Sequence, residues 1–287
     1  MSLEIPITMA RREAVAAEPG HEPRRRLEPG RILGFILPIL VFCAAVSAWE
    51  WTVRAYGIAP YILPAPSAIV LTLAKDWGTL GASLLVTLRT MALALMLATA
   101  GGVLLAVIFD QSRLIERSLY PFAVILQVTP ILAIAPLLLV YLDAGTAMLV
   151  CAFIVAFFPI LSNTTLGLSA TDPHLRDLFK LYGAGRWREL LLLRIPSALP
   201  YFLGGLRIGG GLALIGAVVA EIAAGSAGQG SGLAYRIVES GYRLNIPRMF
   251  AALILISATG VFVYASLALL SHLLLRRWHE SALDRGG

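Results

Sequence analysis

Residues 172–196 read DPHLRDLFKLYGAGRWRELLLLRIP, and this stretch decides how the rest of the chain is interpreted. Asp172 can cap a helix that begins at Pro173, because a carboxylate accepts the first free amides and proline suits the first helical position. The helix is expected to run through Tyr182 and to end at Gly183, which can take the left-handed conformation of a C-terminal cap. The pattern therefore predicts a short helix with a sharp stop.

A second short helix is predicted from about residue 186 to 194, and Pro196 is expected to end it. Apolar side chains of the first helix recur at helical spacing and form one stripe. They are Leu175, Leu178, Phe179 and Tyr182. A helical hairpin with one apolar face on the water side suits a groove on a partner protein; the alternative is that it packs against its own bundle.

Long apolar segments lie on both sides of this hairpin, and most approach the roughly 20 residues that cross a bilayer as a helix. Six spans are predicted: Ile32–Trp49, Met91–Phe109, Leu119–Leu142, Ala144–Leu168, Ile208–Ala224 and Phe250–Leu275. Hydrophobic residues make up 58% of the chain and charged residues 14%, whereas a soluble domain has about 45–50% and about 25%. The sequence predicts an all-α polytopic membrane protein and argues against a soluble enzyme.

Basic residues predict the orientation, because Lys and Arg gather in cytoplasmic segments. With the N-terminus inside, 17 of the 23 basic residues fall in cytoplasmic segments. Residues 1–31 are then a cytoplasmic tail, residues 32–287 form the transmembrane domain, and both termini are cytoplasmic. This distribution accounts for the net charge of +6, so the charge gives no reason to expect nucleic acid. A short surface helix at Ser67–Trp77 is predicted between the first two spans.

Polar residues within the spans are the candidates for contact with a transported solute, since such groups are expensive in a membrane. Gln127 and Thr129 lie in the third predicted span. An interhelical hydrogen bond is the alternative role for Gln127. Glu221 lies in the fifth span, where it either reaches interfacial water or acts as a gate or substrate contact. No phosphate-binding loop, metal-ligand spacing or nucleophile motif is recognisable, so neither a metal nor a cofactor is expected.

The hairpin resembles the permease signature of type I ABC importers, which is Glu-Ala-Ala, three residues, Gly, nine residues, Ile, one residue and Leu-Pro. Gly183 holds the glycine place, Leu193 the isoleucine place and Ile195-Pro196 the Leu-Pro place, so the spacing is kept. The segment Asp177-Leu178-Phe179 departs from Glu-Ala-Ala, because the carboxylate is shorter and both alanines are bulky.

Further motifs look like those of the nitrate, sulfonate and taurine importers. They are Pro64-Ala-Pro-Ser67, Ala135-Pro136-Leu137, Phe158-Pro159-Ile160 and Val218-Val219-Ala220-Glu221. Residues 242–247, YRLNIP, look more like a branch that takes up pyrimidines or thiamine precursors. The resemblance covers roughly Pro60 to the C-terminus.

The resemblance implies a type I ABC importer permease in the inner membrane, a transport subunit and not an enzyme. It implies coupling to a cytoplasmic ATP-binding subunit through Asp177, Leu178, Phe179, Gly183 and Pro196. It also implies a periplasmic solute-binding protein, a second permease subunit (a homodimer) and surrounding lipid. A self-sufficient secondary transporter is the alternative from another class, and it would have no need of an exposed docking hairpin.

Overall fold

The computed structural model describes residues 29–225 and 230–276. The chain divides into two units, Met1–Ala48 and Trp49–Gly287. The predicted tail, residues 1–31, lies almost wholly outside the described residues. All elements of the described part are helices. They are α1 (Pro29–Ala55), α2 (Pro66–Lys75), α3 (Trp77–Gln111), α4 (Arg113–Val128), α5 (Ile131–Tyr141), α6 (Ala144–Ser169), α7 (Pro173–Leu181), α8 (Arg186–Glu189), a π-helical turn (Leu190–Arg194), α9 (Ile195–Ala224), α10 (Leu233–Tyr242) and α11 (Ile246–Leu275).

Five helices of the described part are long and apolar enough to cross a membrane, and a bent pair makes a sixth if it counts as one span. The predicted all-α fold with about six spans is confirmed. The single span predicted at Leu119–Leu142 is wrong in shape, because α4 and α5 meet at an angle of 99°. The bend falls at Thr129, whose backbone is extended as expected before Pro130, and proline has no amide to continue the helical ladder.

The second span is longer than predicted. It was expected to begin at Met91, after Arg89, but α3 begins at Trp77. Arg89 is exposed on the side of this helix, and a single exposed charge does not interrupt an α-helix. The short helix predicted before this span is confirmed as α2, which buries Ile69.

The predicted stop before Pro196 is wrong, because α8, the π-helical turn and α9 form one continuous helix, Arg186–Ala224, of 39 residues. We call it the long helix. In its π-helical turn the amide of Ile195 donates to the carbonyl of Leu190, five residues back. Proline clashes with the carbonyl four residues back in a regular α-helix, so the wider turn just before Pro196 gives its ring room. The fifth span therefore does not begin at Ile208.

Glycines bring the long helix close to α6. A Cβ at Gly205 would lie 2.8 Å from the carbonyl oxygen of Pro159, and one at Gly216 would lie 2.8 Å from the Cα of Ala152. Small residues at these two positions permit close helix packing. Gly204 and Gly211 do not contribute to this contact, because a Cβ there would meet nothing within 4 Å among the described residues.

Candidate functional site: the helical hairpin

The hairpin consists of α7, the turn after it and the start of the long helix. Asp172 caps α7 by accepting a hydrogen bond from the His174 amide at 2.8 Å. Gly183 has a φ of +66°, and the amide of Ala184 donates to the carbonyl of Phe179 at 2.9 Å. Both predicted caps are confirmed, although α7 ends at Leu181, one residue early. Local hydrogen bonding therefore fixes the shape of the turn.

The outer surface of the hairpin is apolar and unpartnered within the described part of the chain. Leu178, Leu181 and Tyr182 are exposed, the last two by more than 80%. Asp177 is also exposed and pairs with Lys180 at 2.9 Å; the hydrogen bond from this ammonium holds the pKa of the Asp177 carboxyl below its usual range. An exposed apolar patch with a polar rim is typical of a protein-binding surface.

The structure brings most of the predicted coupling residues to this surface. Leu178, Gly183 and Asp177 are exposed on α7 and its turn, and Phe179 is half-buried beside them. Pro196 lies apart from them, half-buried inside the long helix.

An ion-pair network lies under the hairpin and was not predicted. Arg194 pairs with Asp110 at the end of α3 and with Glu189 at 2.9 Å, and Glu189 also accepts from Arg176 at 3.0 Å. The side chains of Asp110, Glu189 and Arg194 are at most 13% exposed. Residues so far apart in sequence leave no local pattern, so only the folded chain reveals that the network anchors the hairpin to α3.

A cavity of about 400 Å³ opens beside this network. Four cations and two carboxylates line it together with Gln111 and Ala184: Arg176, Lys180, Arg186, Arg194, Asp110 and Glu189. Basic groups outnumber acidic ones in this lining, although Arg176, Lys180 and Arg194 are already paired with carboxylates.

The predicted pathway residues occupy separate places. Gln127 is exposed on α4 just before the bend, and the hydroxyl of Thr129 donates to the carbonyl of Ile125 at 2.7 Å. Glu221 is only 1% exposed, and its carboxylate accepts hydrogen bonds from Thr87 and from the amide of Ala234. Within the described part of the chain, the hydrogen-bond partners of Glu221 come from α3 and α10 and not from the bend that holds Gln127 and Thr129.

Arg207 falls just outside the fifth span that the sequence predicts, Ile208–Ala224. This placement is wrong, because Arg207 lies in the middle of α9. Its guanidinium carbon lies 5.7 Å from the centre of the Tyr264 ring. Its buried Nε has no hydrogen-bond partner among the described residues. The misplacement followed from starting the fifth span at Ile208.

A bundle of membrane-spanning helices with an exposed apolar hairpin is typical of a membrane transport protein that works with a partner protein. Residues 98–277 match the family described as the binding-protein-dependent transport system inner membrane component. The chain belongs to this family. It is therefore an inner-membrane ABC importer permease, a transport subunit rather than an enzyme, and its family implies an ATPase and a substrate-binding protein as partners.

Relatives share most of the chain. A probable ABC transporter permease protein of Haemophilus influenzae is 33% identical over 82% of this chain and 95% of its own length. The formylaminopyrimidine transport permease protein ThiX of Halalkalibacterium halodurans is 32% identical over 83% of this chain and 94% of its own. Other relatives are named for riboflavin, aliphatic sulfonates and nitrate.

A solved structure supports the fold alone. It is titled "Crystal structure of an amino acid ABC transporter with histidines" and matches with a TM-score of 0.56 at 22% identity. The match covers 72% of this chain and 97% of that one. Family and fold together rule against the self-sufficient secondary transporter.

Proposed function

We propose that this permease imports a small solute with an anionic group, of the nitrate, sulfonate or taurine class, as a homodimer in the lipid bilayer. The position of Arg207 in the middle of α9 is the observation that supports a substrate with an anionic group. Gln127 and Thr129, at the bend between α4 and α5, are proposed to line the same pathway.

Arg207 lies at membrane depth. Gly209, two residues further on, packs against Ile160 of α6, and nine residues, about 14 Å, separate Ile160 from the end of α6 at Ser169. A guanidinium at such depth costs on the order of 3 kcal/mol or more unless it meets a cavity or partner. A passing anion supplies that partner, and the open faces of Gly204 and Gly211 leave room beside the side chain.

A second candidate substrate is a pyrimidine or thiamine precursor. The formylaminopyrimidine permease among the relatives and the segment 242–247 favour it. A neutral heterocycle does not need the positive charge of Arg207, whereas an anionic group does. The two candidates therefore differ in how much the charge of Arg207 contributes to transport.

Arg207→Gln is expected to lower anion uptake at least tenfold in vesicles that contain the complete transporter, while Arg207→Lys keeps part of the activity because the charge remains. Uptake of labelled nitrate, taurine and formylaminopyrimidine measures the effect. Arg89→Gln, which removes an exposed arginine from α3, is the matched control. Unchanged uptake by Arg207→Gln, or transport of formylaminopyrimidine alone, would favour the second candidate.

The hairpin is proposed to bind the ATP-binding subunit through Asp177, Leu178, Phe179 and Gly183, with Pro196 shaping its base. This arrangement requires the hairpin and both termini in the cytoplasm, with residues 1–31 as a tail and 32–287 as the transmembrane domain. The solute-binding protein then meets the opposite face, where α2 and α10 lie.

Reporter fusions test this orientation. Fusions after Arg113 and Tyr182 are expected to report cytoplasm, and fusions after Lys75 and Ser240 the periplasm, as the excess of basic residues on the hairpin side requires. A periplasmic signal after Tyr182 would contradict the orientation and, with it, docking of a cytoplasmic ATPase on the hairpin.

A further inference from the structure

The first amides of α10 are capped by side chains from two other helices. Gly232, at the cap position, offers no side chain of its own. The amide of Leu233 donates to Thr87 Oγ1 of α3 at 3.0 Å, and the amide of Ala234 donates to Glu221 Oε2 of α9 at 2.9 Å. Thr87 Oγ1 in turn donates to Glu221 Oε1 at 2.7 Å. Three elements therefore meet at one carboxylate.

The contact leaves no spare space. Glu221 is 1% exposed and Thr87 fully buried. A Cβ on Gly232 would overlap the carboxylate of Glu221, so only glycine lets the chain pass this close. The partial positive charge of a helix N-terminus compensates for an anion held against it. Each oxygen of the Glu221 carboxylate therefore has a hydrogen-bond donor from within the protein.

This contact lies near one end of the long helix. The other end, Arg186, follows the hairpin turn by three positions. The 35 residue steps from Arg186 to Glu221 span about 52 Å of helix. Leu233 of α10 packs with Ile69 of α2 and Ala251 of α11 in one buried cluster, so a displacement of α10 reaches both of these helices.

We propose that Glu221 is a positioning residue of the transport cycle: through Thr87 and the α10 amides it fixes α10 to the long helix, so that α10 moves as one body with the helix that carries the hairpin. This inference rests on the proposed docking of the ATPase at the hairpin. If the contact of Glu221 with α10 only stabilised the fold, loss of this contact would not change how α10 moves relative to the long helix when ATP binds.

A pair of alanine substitutions tests the contact itself. Glu221→Ala and Gly232→Ala, each alone, are expected to lower uptake at least tenfold while the ATPase still co-purifies. The double variant should be no worse than Glu221→Ala, because the carboxylate that the new methyl group would strike is gone. A loss of uptake in the double variant equal to the product of the two single losses would contradict a shared contact.

Two threonines of α3 provide a matched comparison. Thr87→Val is expected to lower ATP hydrolysis stimulated by the binding protein, because it removes the hydroxyl that bridges Glu221 and the Leu233 amide of α10. Thr99→Val should not, because the hydroxyl of Thr99 only returns to the carbonyl of Leu95 in its own helix. Equal losses in both variants would indicate a general packing defect and contradict the proposal.

Spin labels at Tyr242 on α10 and Ile222 on the long helix, in a chain without Cys43 and Cys151, measure the coupling directly. In the otherwise wild-type complex the distance distribution should be narrow and the same with and without trapped ATP. In Glu221→Ala it should broaden or shift when ATP is trapped. An unchanged distribution in Glu221→Ala would overturn the proposal, whereas failure of the unaltered chain to bind ATPase would contradict the proposed function.

Discussion

Gly183→Val is expected to weaken binding of the permease to its ATPase about tenfold or more and to abolish most uptake. Gly183 has a φ of +66°, a conformation that costs a residue with a side chain roughly 1–2 kcal/mol and suits a β-branched residue least. A Cβ there would meet nothing within 4 Å among the described residues. The penalty therefore falls on the shape of the turn and leaves the bundle intact.

Gly185→Ala is the matched control, because Gly185 is equally open but has an ordinary φ of −68°. Gly183→Asn should restore part of the binding, since asparagine tolerates the left-handed region. Co-purification of the ATPase with permease from membranes measures all three. Wild-type levels of ATPase on Gly183→Val would count against docking at this turn.

Arg194→Ala is expected to lower the stability of the permease by about 3–5 kcal/mol, which is typical when one member of a buried ion pair is removed. Asp110 and Glu189 would both be left at the base of the hairpin without this partner. The stability of Arg194→Lys should fall between the two, since an ammonium donates from a single nitrogen, whereas the guanidinium reaches Asp110 through Nη1 and Glu189 through Nε. Thermal unfolding in detergent measures the series.

Lys180→Ala is the comparison for this series. The Lys180–Asp177 pair is about two-thirds exposed on both sides, and such pairs contribute about 0–1 kcal/mol. A loss in Arg194→Ala no larger than that in Lys180→Ala would show that the network does not hold the hairpin.

Features that depend on neighbouring residues were predictable from sequence. The caps at Asp172 and Gly183 need only residues within one turn of α7, and α6 was placed to within one residue because its apolar run is uninterrupted. The family signature also follows from spacing along the chain, so it led to the correct class of protein.

Features that depend on contacts between distant segments were not predictable. Glu221 was seen as a lone intramembrane carboxylate because its partners, Thr87 and Ala234, come from other helices. Arg207 was placed outside the fifth span because the predicted span begins directly after it, at Ile208, whereas α9 runs through Arg207 without a break.

The π-helical turn, Leu190–Arg194, also separates two parts of the long helix that must present their side chains in different directions. Beyond it, Gly205 and Gly216 face α6. Before it lies the hairpin, whose turn at Gly183 faces the ATPase in the docking that we propose. Each residue of an α-helix turns the direction of the side chains about the helix axis by about 100°. Deletion of one residue from a regular α-helical part of the long helix would therefore rotate the hairpin by that angle relative to the glycines that face α6. A π-turn contains about one residue more than an α-turn. Deletion of one residue within Leu190–Arg194 would therefore convert the π-turn into an α-turn, and the two parts of the long helix would keep their relative orientation.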